Sequence, residues 1–461
     1  MSHHLNRRNF LKSAASLAAA CSVAPRVFAP ADLYAFQAPS DRLRMGCIGL
    51  GGQGRGNARG FNGMCDIVAL CDVDESFGIA RAIKENIGKN PDTYKDYRRV
   101  LERDDIDVVC IGTPDHWHVK IAIEAMQSGK HVFCEKPLTL TLAENLLVRK
   151  ATEKYGKIFQ VGTQQRAQKD QFMLAAFMVR KGYLGEIENI ICDIGGSPSS
   201  GEIPVMDVPD GFDWDFWLGQ APYVEFRGQR NGFDDNGNRN GFGQTRAHND
   251  FRWWYEYSGG KFTDWGAHHI DCALWALELQ EKGTGPVSFD GTGAVHPVEY
   301  KDGYPTVANR FNTSTKFDVL CKFANGVTMH VASGSPDGNG ILFEGTKGRI
   351  HVNRSRIKGK PFEELPEGVW TNEEFSVLYN GKPYEGHKPN FFRCIREGGL
   401  PVSDVFSHVQ AMHCCHLSAI ASRLDREVKW DPQAEQIVGD AQAAAFFSRE
   451  ARKGYELPTV E

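Results

Sequence analysis

The sequence predicts an α/β protein in two parts. An N-terminal doubly wound parallel sheet is followed by an α+β part with a large, mainly antiparallel sheet. Three observations predict this. Short apolar runs rich in β-branched residues alternate with helix-periodic segments up to about residue 162. A glycine-rich turn, Gly49-Leu50-Gly51-Gly52-Gln53-Gly54, directly follows the first of those runs. Later in the chain, strand-like runs succeed one another without intervening helices, which suits antiparallel pairing. A length of 461 residues fits two domains plus extensions.

In the first part, Arg44–Ile48, Asp66–Asp72, Asp107–Gly112 and His131–Cys134 read as buried strands. Gln53–Phe61, Glu75–Asn86, Val119–Gln127 and Leu142–Tyr155 read as the helices between and after them. This part ends near Gln160-Val161-Gly162, so the expected domains are 42–164 and 165–461. Residues 196–250, rich in Gly, Asn, Asp and Pro, read as long loops. Strands are expected at Phe317–Phe323, Val327–Ala332 and Gly348–Val352, and closing helices at about Asp404–Leu424 and Gln433–Lys453.

Residues 1–31 read as an export address rather than as structure, with a linker at 32–41. Asn6-Arg7-Arg8-Asn9-Phe10-Leu11-Lys12 is a twin-arginine pattern, followed by a weakly apolar stretch from Ser13 to Ala24. That stretch is too short and too rich in Ala and Ser to span a bilayer. Cleavage after Ala31 is one reading, and lipid attachment at Cys21 is another. The twin-arginine route resembles a gate for folded proteins, so a cytoplasmic cofactor would be carried out already bound. The expected location is the periplasm or otherwise outside, with membrane contact only during export. Removing residues 1–31 takes away four basic residues and no acids, so a formal charge of −5 becomes −9. No long basic run is present, which argues against a nucleic-acid partner. Eleven of twelve cysteines lie beyond the leader and none forms a Cys-x-x-Cys pair. Cys47, Cys71, Cys110 and Cys134 sit in or beside strand-like runs and read as small buried hydrophobes, so few or no disulfides are expected.

The glycine turn follows a strand and opens a helix, the context that a dinucleotide fingerprint requires. Gly49, Gly51, Gly52 and Gly54 permit a tight turn and close approach of backbone N–H groups to a pyrophosphate, with Gln53 at the helix start. Asp72 ends the second strand, where a carboxylate bonds ribose hydroxyls and repels a 2′-phosphate. NAD is therefore expected rather than NADP. Two further clusters follow strands. Thr113, Pro114 and His118 belong to Gly112-Thr113-Pro114-Asp115-His116-Trp117-His118, and Glu135 and Lys136 to Glu135-Lys136-Pro137-Leu138. Lys136 reads either as an exposed loop lysine or as a site group facing the cofactor. Pro137 restricts Lys136 and allows a cis bond between them.

Together these clusters resemble the glucose–fructose oxidoreductase / inositol dehydrogenase (Gfo/Idh/MocA) family over roughly residues 42–455. The resemblance rests on Gly129-Lys130-His131-Val132-Phe133-Cys134-Glu135-Lys136-Pro137 and on Asp264-Trp265-Gly266-Ala267-His268-His269-Ile270-Asp271. The run Asp213-Trp214-Asp215-Phe216-Trp217-Leu218-Gly219-Gln220-Ala221-Pro222 is similar to an exported branch. The resemblance implies an NAD(P)-binding Rossmann domain with a C-terminal domain for substrate and oligomerisation, and a homo-oligomer, dimer or tetramer. It also implies Lys136, Asp264 and His268 as the catalytic group. Independent chemistry agrees. Oxidising a sugar or cyclitol hydroxyl needs a proton acceptor, for which His268 is suited. Lys136 stabilises charge on the reacting oxygen.

If the run is helical, Asp264 and His268 share a face, and His269 points elsewhere as a structural residue. Gln164 and Arg166 are expected to border the substrate, although Arg166 also reads as an ion-pair residue. Trp254, in Trp253-Trp254-Tyr255, is offered as a sugar-stacking ring or as core. A metal site at Asp264/His268 or at the run His408, His413, Cys414, Cys415, His416 is the disfavoured alternative, packing being expected instead.

The expected activity is NAD-dependent oxidation or reduction at a hydroxyl of a sugar, sugar derivative or cyclitol. A glycoside-cleaving enzyme that holds its NAD and works by transient oxidation and elimination is the second reading. The His-Tyr-Pro-Thr-His-Gly run associated with one such group is missing. A non-catalytic sugar or nucleotide binder is the third reading.

Overall fold

A computed structural model describes residues 42–228, 244–366 and 368–461. The twin-arginine segment, the linker to residue 41 and part of the Gly/Asn-rich loop lie outside the described residues. The strands of the first part are β1 (Arg44–Ile48), β2 (Asp66–Cys71), β3 (Asp92–Tyr94), β4 (Val108–Ile111), β5 (His131–Cys134) and β6 (Phe159–Val161). β3 was not expected. It has three residues, none of them buried, and so leaves no apolar signature. The six strands pair in parallel in the order β3-β2-β1-β4-β5-β6. This is a doubly wound order, with its ligand crevice beyond the carboxyl ends of β1 and β4.

Helices α1 (Gly52–Phe61), α2 (His118–Gln127) and α3 (Leu142–Tyr155) follow the expected spans closely. α3 starts where the Thr141 hydroxyl accepts from the Glu144 N–H, and it stops at Gly156 in left-handed geometry. The segment expected to be helical from Glu75 to Asn86 forms a wide turn, Glu75–Ile79, running into a short helix, Ala80–Lys84.

The second part is built on a nine-stranded sheet. Its members are β7 (Ile187–Asp193), β8 (Pro286–Asp290), β11 (Asp318–Phe323), β12 (Thr328–Ala332), β13 (Gly340–Gly345), β14 (Gly348–Val352), β15 (Ile357–Lys358), β16 (Glu427–Asp431) and β17 (Gln436–Ile437). A separate two-stranded ribbon joins β9 (Tyr300–Lys301) and β10 (Tyr304–Pro305). The order is β15-β14-β13-β7-β12-β11-β8-β16-β17, antiparallel throughout except for the β7–β12 pair. Helices α4 (Lys261–Asp264), α5 (Gly266–Ala276) and α6 (Val405–Leu424) complete the elements needed here. α6 is buried along most of its length and packs on α3, α5 and β8. It thereby ties both sheets into one apolar core.

The helix expected over Gln433–Lys453 is not there. The Asp431 carboxylate accepts from the N–H groups of Gln433 and Ala434 and turns the chain into the β16–β17 hairpin. Gly439 then takes a positive φ, and only Ala441–Ala444 coils, capped by Asp440. Beyond it, Arg449 donates to the Tyr255 carbonyl and Arg452 to that of Gly219, so this segment is held by tertiary bonds.

The described part of 196–250 is largely irregular, yet it carries its own buried cluster, in which Trp214 and Trp217 stack at 4.8 Å. The eleven described cysteines are buried free thiols, and Cys47, Cys71, Cys110 and Cys134 pack as expected. Among the described residues no helix is long and apolar enough to cross a membrane.

Candidate active site

A cavity of about 510 Å³ opens at the carboxyl ends of β1, β2 and β4. The glycines on its floor divide into two kinds. A Cβ on Gly54 would stand 1.9 Å from the Gly49 carbonyl oxygen, and one on Gly49 2.4 Å from the Thr113 nitrogen. These two glycines let three backbone segments touch. A Cβ on Gly52 would meet nothing within 4 Å, and Gly51 meets only the Phe77 ring edge at 3.9 Å. Those two face open space where the ten-residue α1 begins with no acidic residue in its first turn. Free N–H groups and a favourable dipole there suit a pyrophosphate. The Asp72 carboxylate accepts from the Leu50 N–H at 2.6 Å and the Asp74 N–H at 2.9 Å. Burial pushes its pKa up to about 6 against the pull of those two bonds.

The other two sequence clusters stand beside this floor. Thr113, Pro114, Glu135 and Lys136 line the cavity with Gln53. His118 is buried behind them and braces both loops: Nδ1 bonds the Pro137 carbonyl at 2.6 Å and Nε2 the Thr113 carbonyl at 2.9 Å. Glu135 Oε1 accepts from the side-chain amides of Asn57 (2.7 Å), Gln164 (3.2 Å) and Gln53 (3.3 Å). This knot fixes Lys136, whose bond to Pro137 is cis.

Lys136 Nζ reaches across to the second part and donates to Asp264 Oδ1 at 2.7 Å and to the Asp264 carbonyl at 3.1 Å. Asp264 and His268 do not share one continuous helix. α4 ends at Asp264, Trp265 intervenes and α5 begins at Gly266. The Asp264 side chain bonds Lys136, and no bond from it to His268 is seen. Burial raises the Asp264 pKa, but Lys136, Arg252 and Lys261 outweigh it and hold it well below the usual range. His268 is buried, its Nδ1 without a hydrogen-bond partner. Desolvation, then the charges of Lys136 and Arg354, hold its pKa well below normal. Its imidazole is thus neutral near pH 7, with a lone pair to offer.

Two substrate-binding expectations are corrected. Arg166 is 1% exposed and forms a two-pronged ion pair with Asp271 at 2.5 and 2.6 Å, with further bonds to Val402 O and Ser407 Oγ. It is a core ion-pair residue, four of its five N–H donors already used and its side chain closed off from a ligand. Trp254 is fully buried, with Nε1 donating to the Thr245 carbonyl and the Arg246 guanidinium over its ring. It offers no face to a ligand. Gln164 is spent on Glu135 and acts behind Lys136.

His269 bonds Asn339 and is structural, as expected. On α6, His408 joins Asp271, His413 packs on Trp430 and His416 bonds Thr139. No group of His, Cys, Asp and Glu among the described residues is arranged to hold a metal.

Sequence reasoning missed the residues that close the cavity from the second part. His248 Nε2 bonds Asp74 Oδ2 at 2.9 Å, and its ring lies 4.3 Å from that of Phe77. The Glu75 N–H donates to the Gly211 carbonyl, and the Asp213 N–H to that of Val73. It also missed Arg252, Lys261 and Arg354. The first two flank the Asp264 motif within twelve positions, a signal in hindsight. Arg354 comes from the turn after β14, ninety residues beyond Asp264 in sequence, and leaves none.

Fold and site together define a member of an NAD-binding oxidoreductase family. The model of the "Oxidoreductase family, NAD-binding Rossmann fold" matches residues 43–163, and that of the "Oxidoreductase family, C-terminal alpha/beta domain" matches 199–457, more than half of the chain. The chain belongs to the Gfo/Idh/MocA oxidoreductase family, and NAD is its cofactor. A glycosyl hydrolase family 109 protein of Shewanella baltica (strain OS195) is 35% identical over 207 residues, 40% of this chain and 45% of that protein. The match thus spans under half of the relative's length. A levoglucosan dehydrogenase solved with NADH and levoglucosan shares the fold at 18% identity and a TM-score of 0.56, over 84% of this chain and 99% of that one. The WlbA dehydrogenase from Bordetella pertussis, solved with NADH and UDP-GlcNAcA, does so at 17% identity and 0.56, over 84% and 97%.

Proposed function

We propose that the protein transfers a hydride between NAD and a hydroxyl-bearing carbon of a sugar, sugar derivative or cyclitol. The observation that carries this is Lys136, which lines the nucleotide cavity and is fixed by Asp264, with a neutral His268 near enough for the Lys136 charge to act on it. Gly51 and Gly52 would hold the pyrophosphate of NAD, which would supply the hydride acceptor or donor. His268 takes the hydroxyl proton as general base and returns it in the reverse direction. Lys136 donates to the reacting oxygen as negative charge builds on it, and Asp264 keeps that ammonium in place. Single-turnover absorbance at 340 nm with a sugar panel tests this. Wild-type turnover in both Lys136→Ala and His268→Ala would sink it.

A second reading is favoured by the family 109 relatives: transient oxidation, elimination of a glycoside, and return of the hydride. The same residues serve it, and glycoside release without net NADH distinguishes it. We further propose export through Arg7-Arg8 with NAD already bound, retained by the His248–Asp74 closure, and assembly as a homo-oligomer. Native mass spectrometry of the exported protein reads bound cofactor and assembly together. Loss of NAD on simple dialysis would refute the retention.

A further inference from the structure

The side chains around Asp264 carry more positive charge than that carboxylate needs. Lys136 Nζ lies 2.7 Å and Arg252 Nε 3.4 Å from its Oδ1, and Lys261 Nζ lies 3.8 Å from its Oδ2. A fourth cation, Arg354, lies with its guanidinium carbon 4.6 Å from the Trp265 ring centroid, one residue along. With the amide of buried Gln165 turned to suit its neighbours, its oxygen accepts from Arg354 Nε at 3.1 Å, and its nitrogen donates to the His268 carbonyl at 3.2 Å. Arg354 is thus built onto the same helix start as His268.

Two further acids face this group: Glu135, beneath Lys136, and Asp115, buried near Arg252 and Lys136. Four cations against three carboxylates leave a positive surplus, and Lys388, which also faces Glu135, adds to it. The Lys136, Asp264, Lys261 and Arg252 side chains keep 13–23% of their surface open, so the surplus is within reach of a ligand. Crowding like charges is unfavourable unless an anion arrives to join them.

We infer that the substrate is an acidic sugar, whose carboxylate docks between Arg354 and Lys261 while the reacting hydroxyl meets Lys136 and His268. This rests on the sugar-oxidoreductase reading above and names its substrate class. The planar Arg354 fork, supported on Trp265, suits two carboxylate oxygens.

The test is calorimetric binding to the full-length NADH-loaded protein, using D-glucose, D-glucuronate and D-glucose 6-phosphate and the matching galactose set. Hydride transfer is followed separately at 340 nm in the NAD-loaded protein. Uronates are expected to bind at least tenfold tighter than the neutral sugars, and less tightly as salt rises. Arg354→Gln should abolish that preference, and Arg354→Lys should restore part of it. Lys261→Gln gives the same readout should Arg354→Gln fail to fold. Equal or tighter binding of the neutral sugars, preference for the phosphates, or no binding by any of them overturns the inference. Uronates that bind without exchanging hydride would uphold it while sinking the dehydrogenase reading. Neutral sugars turned over in preference would do the reverse.

Discussion

Gly54 and Gly52 lie two residues apart in the first turn of α1, yet the structure demands opposite effects on stability from replacing them with alanine. A Cβ on Gly54 would sit 1.9 Å from the Gly49 carbonyl oxygen and 2.9 Å from its carbon. Ordinary contact begins at 3.4 Å, so the β1–α1 turn must move by more than 1 Å. A shift of that size in a packed region costs about 1–3 kcal/mol. It also displaces N–H groups aimed at the pyrophosphate. Losing one charge-assisted bond, about 1.5–3 kcal/mol, weakens NAD about 10- to 150-fold. A Cβ on Gly52 meets nothing within 4 Å, and alanine is the better helix former by up to about 1 kcal/mol. Gly52→Ala should therefore melt at or above the wild-type temperature while still losing NAD, because its methyl enters the cavity. Thermal melting of the stripped proteins and NADH titration by fluorescence read the two quantities separately. A Gly54→Ala protein as stable as wild type, or a Gly52→Ala protein that keeps wild-type affinity, would refute the division of roles.

Three further outcomes are expected. His268→Ala should cut the hydride-transfer rate about 10²–10⁴-fold, the usual worth of a general base, with NAD affinity unchanged; stopped-flow absorbance checks it. Asp72 is a carboxyl whose folded pKa, about 6, stands above its ordinary 3.8, so its ionisation draws stability away as pH rises from about 4 through 6. Asp72→Asn should lack that decline in denaturant titrations of the stripped protein, and it should lose the rise in NAD affinity expected over the same window. Asp271→Ala leaves the fully buried Arg166 charge and His408 without their shared acceptor, a loss of about 3–5 kcal/mol visible in urea unfolding. A Tm near wild type would contradict the structural role given to Arg166.

The sequence announced chemistry where a local rule links residue type to position. Gly49 to Gly54 is such a case, because each glycine answers a steric demand inside one turn. Lys136 is another, since it follows a strand whose end must face the crevice. The closing helix expected over 433–453 failed because a single side chain sets the local path of the chain. Asp431 caps two N–H groups and forces a hairpin, and pattern reading gives such a bond no weight. Arg166 and Trp254 failed for a different reason. A polar or aromatic residue beside a motif looks like part of the site, and only the fold shows that Asp271 and Thr245 O have already claimed it.

Arg354 is the opposite failure, a site residue with no motif near it. It meets Trp265 and, through Gln165, the His268 carbonyl because the turn after β14 lies beside the start of α5, a juxtaposition created by the fold and not by spacing along the chain. Local patterns thus reveal the half of the site that handles NAD, which Gly49 to Lys136 supply from successive loops of one sheet. The half that chooses the substrate is assembled from Arg252, Lys261 and Arg354, on three separate segments. It follows that substrate preference can change in relatives that keep every glycine and the Lys136–Asp264–His268 set. Exchanging Arg354 alone should alter which sugar binds without altering how NAD is held.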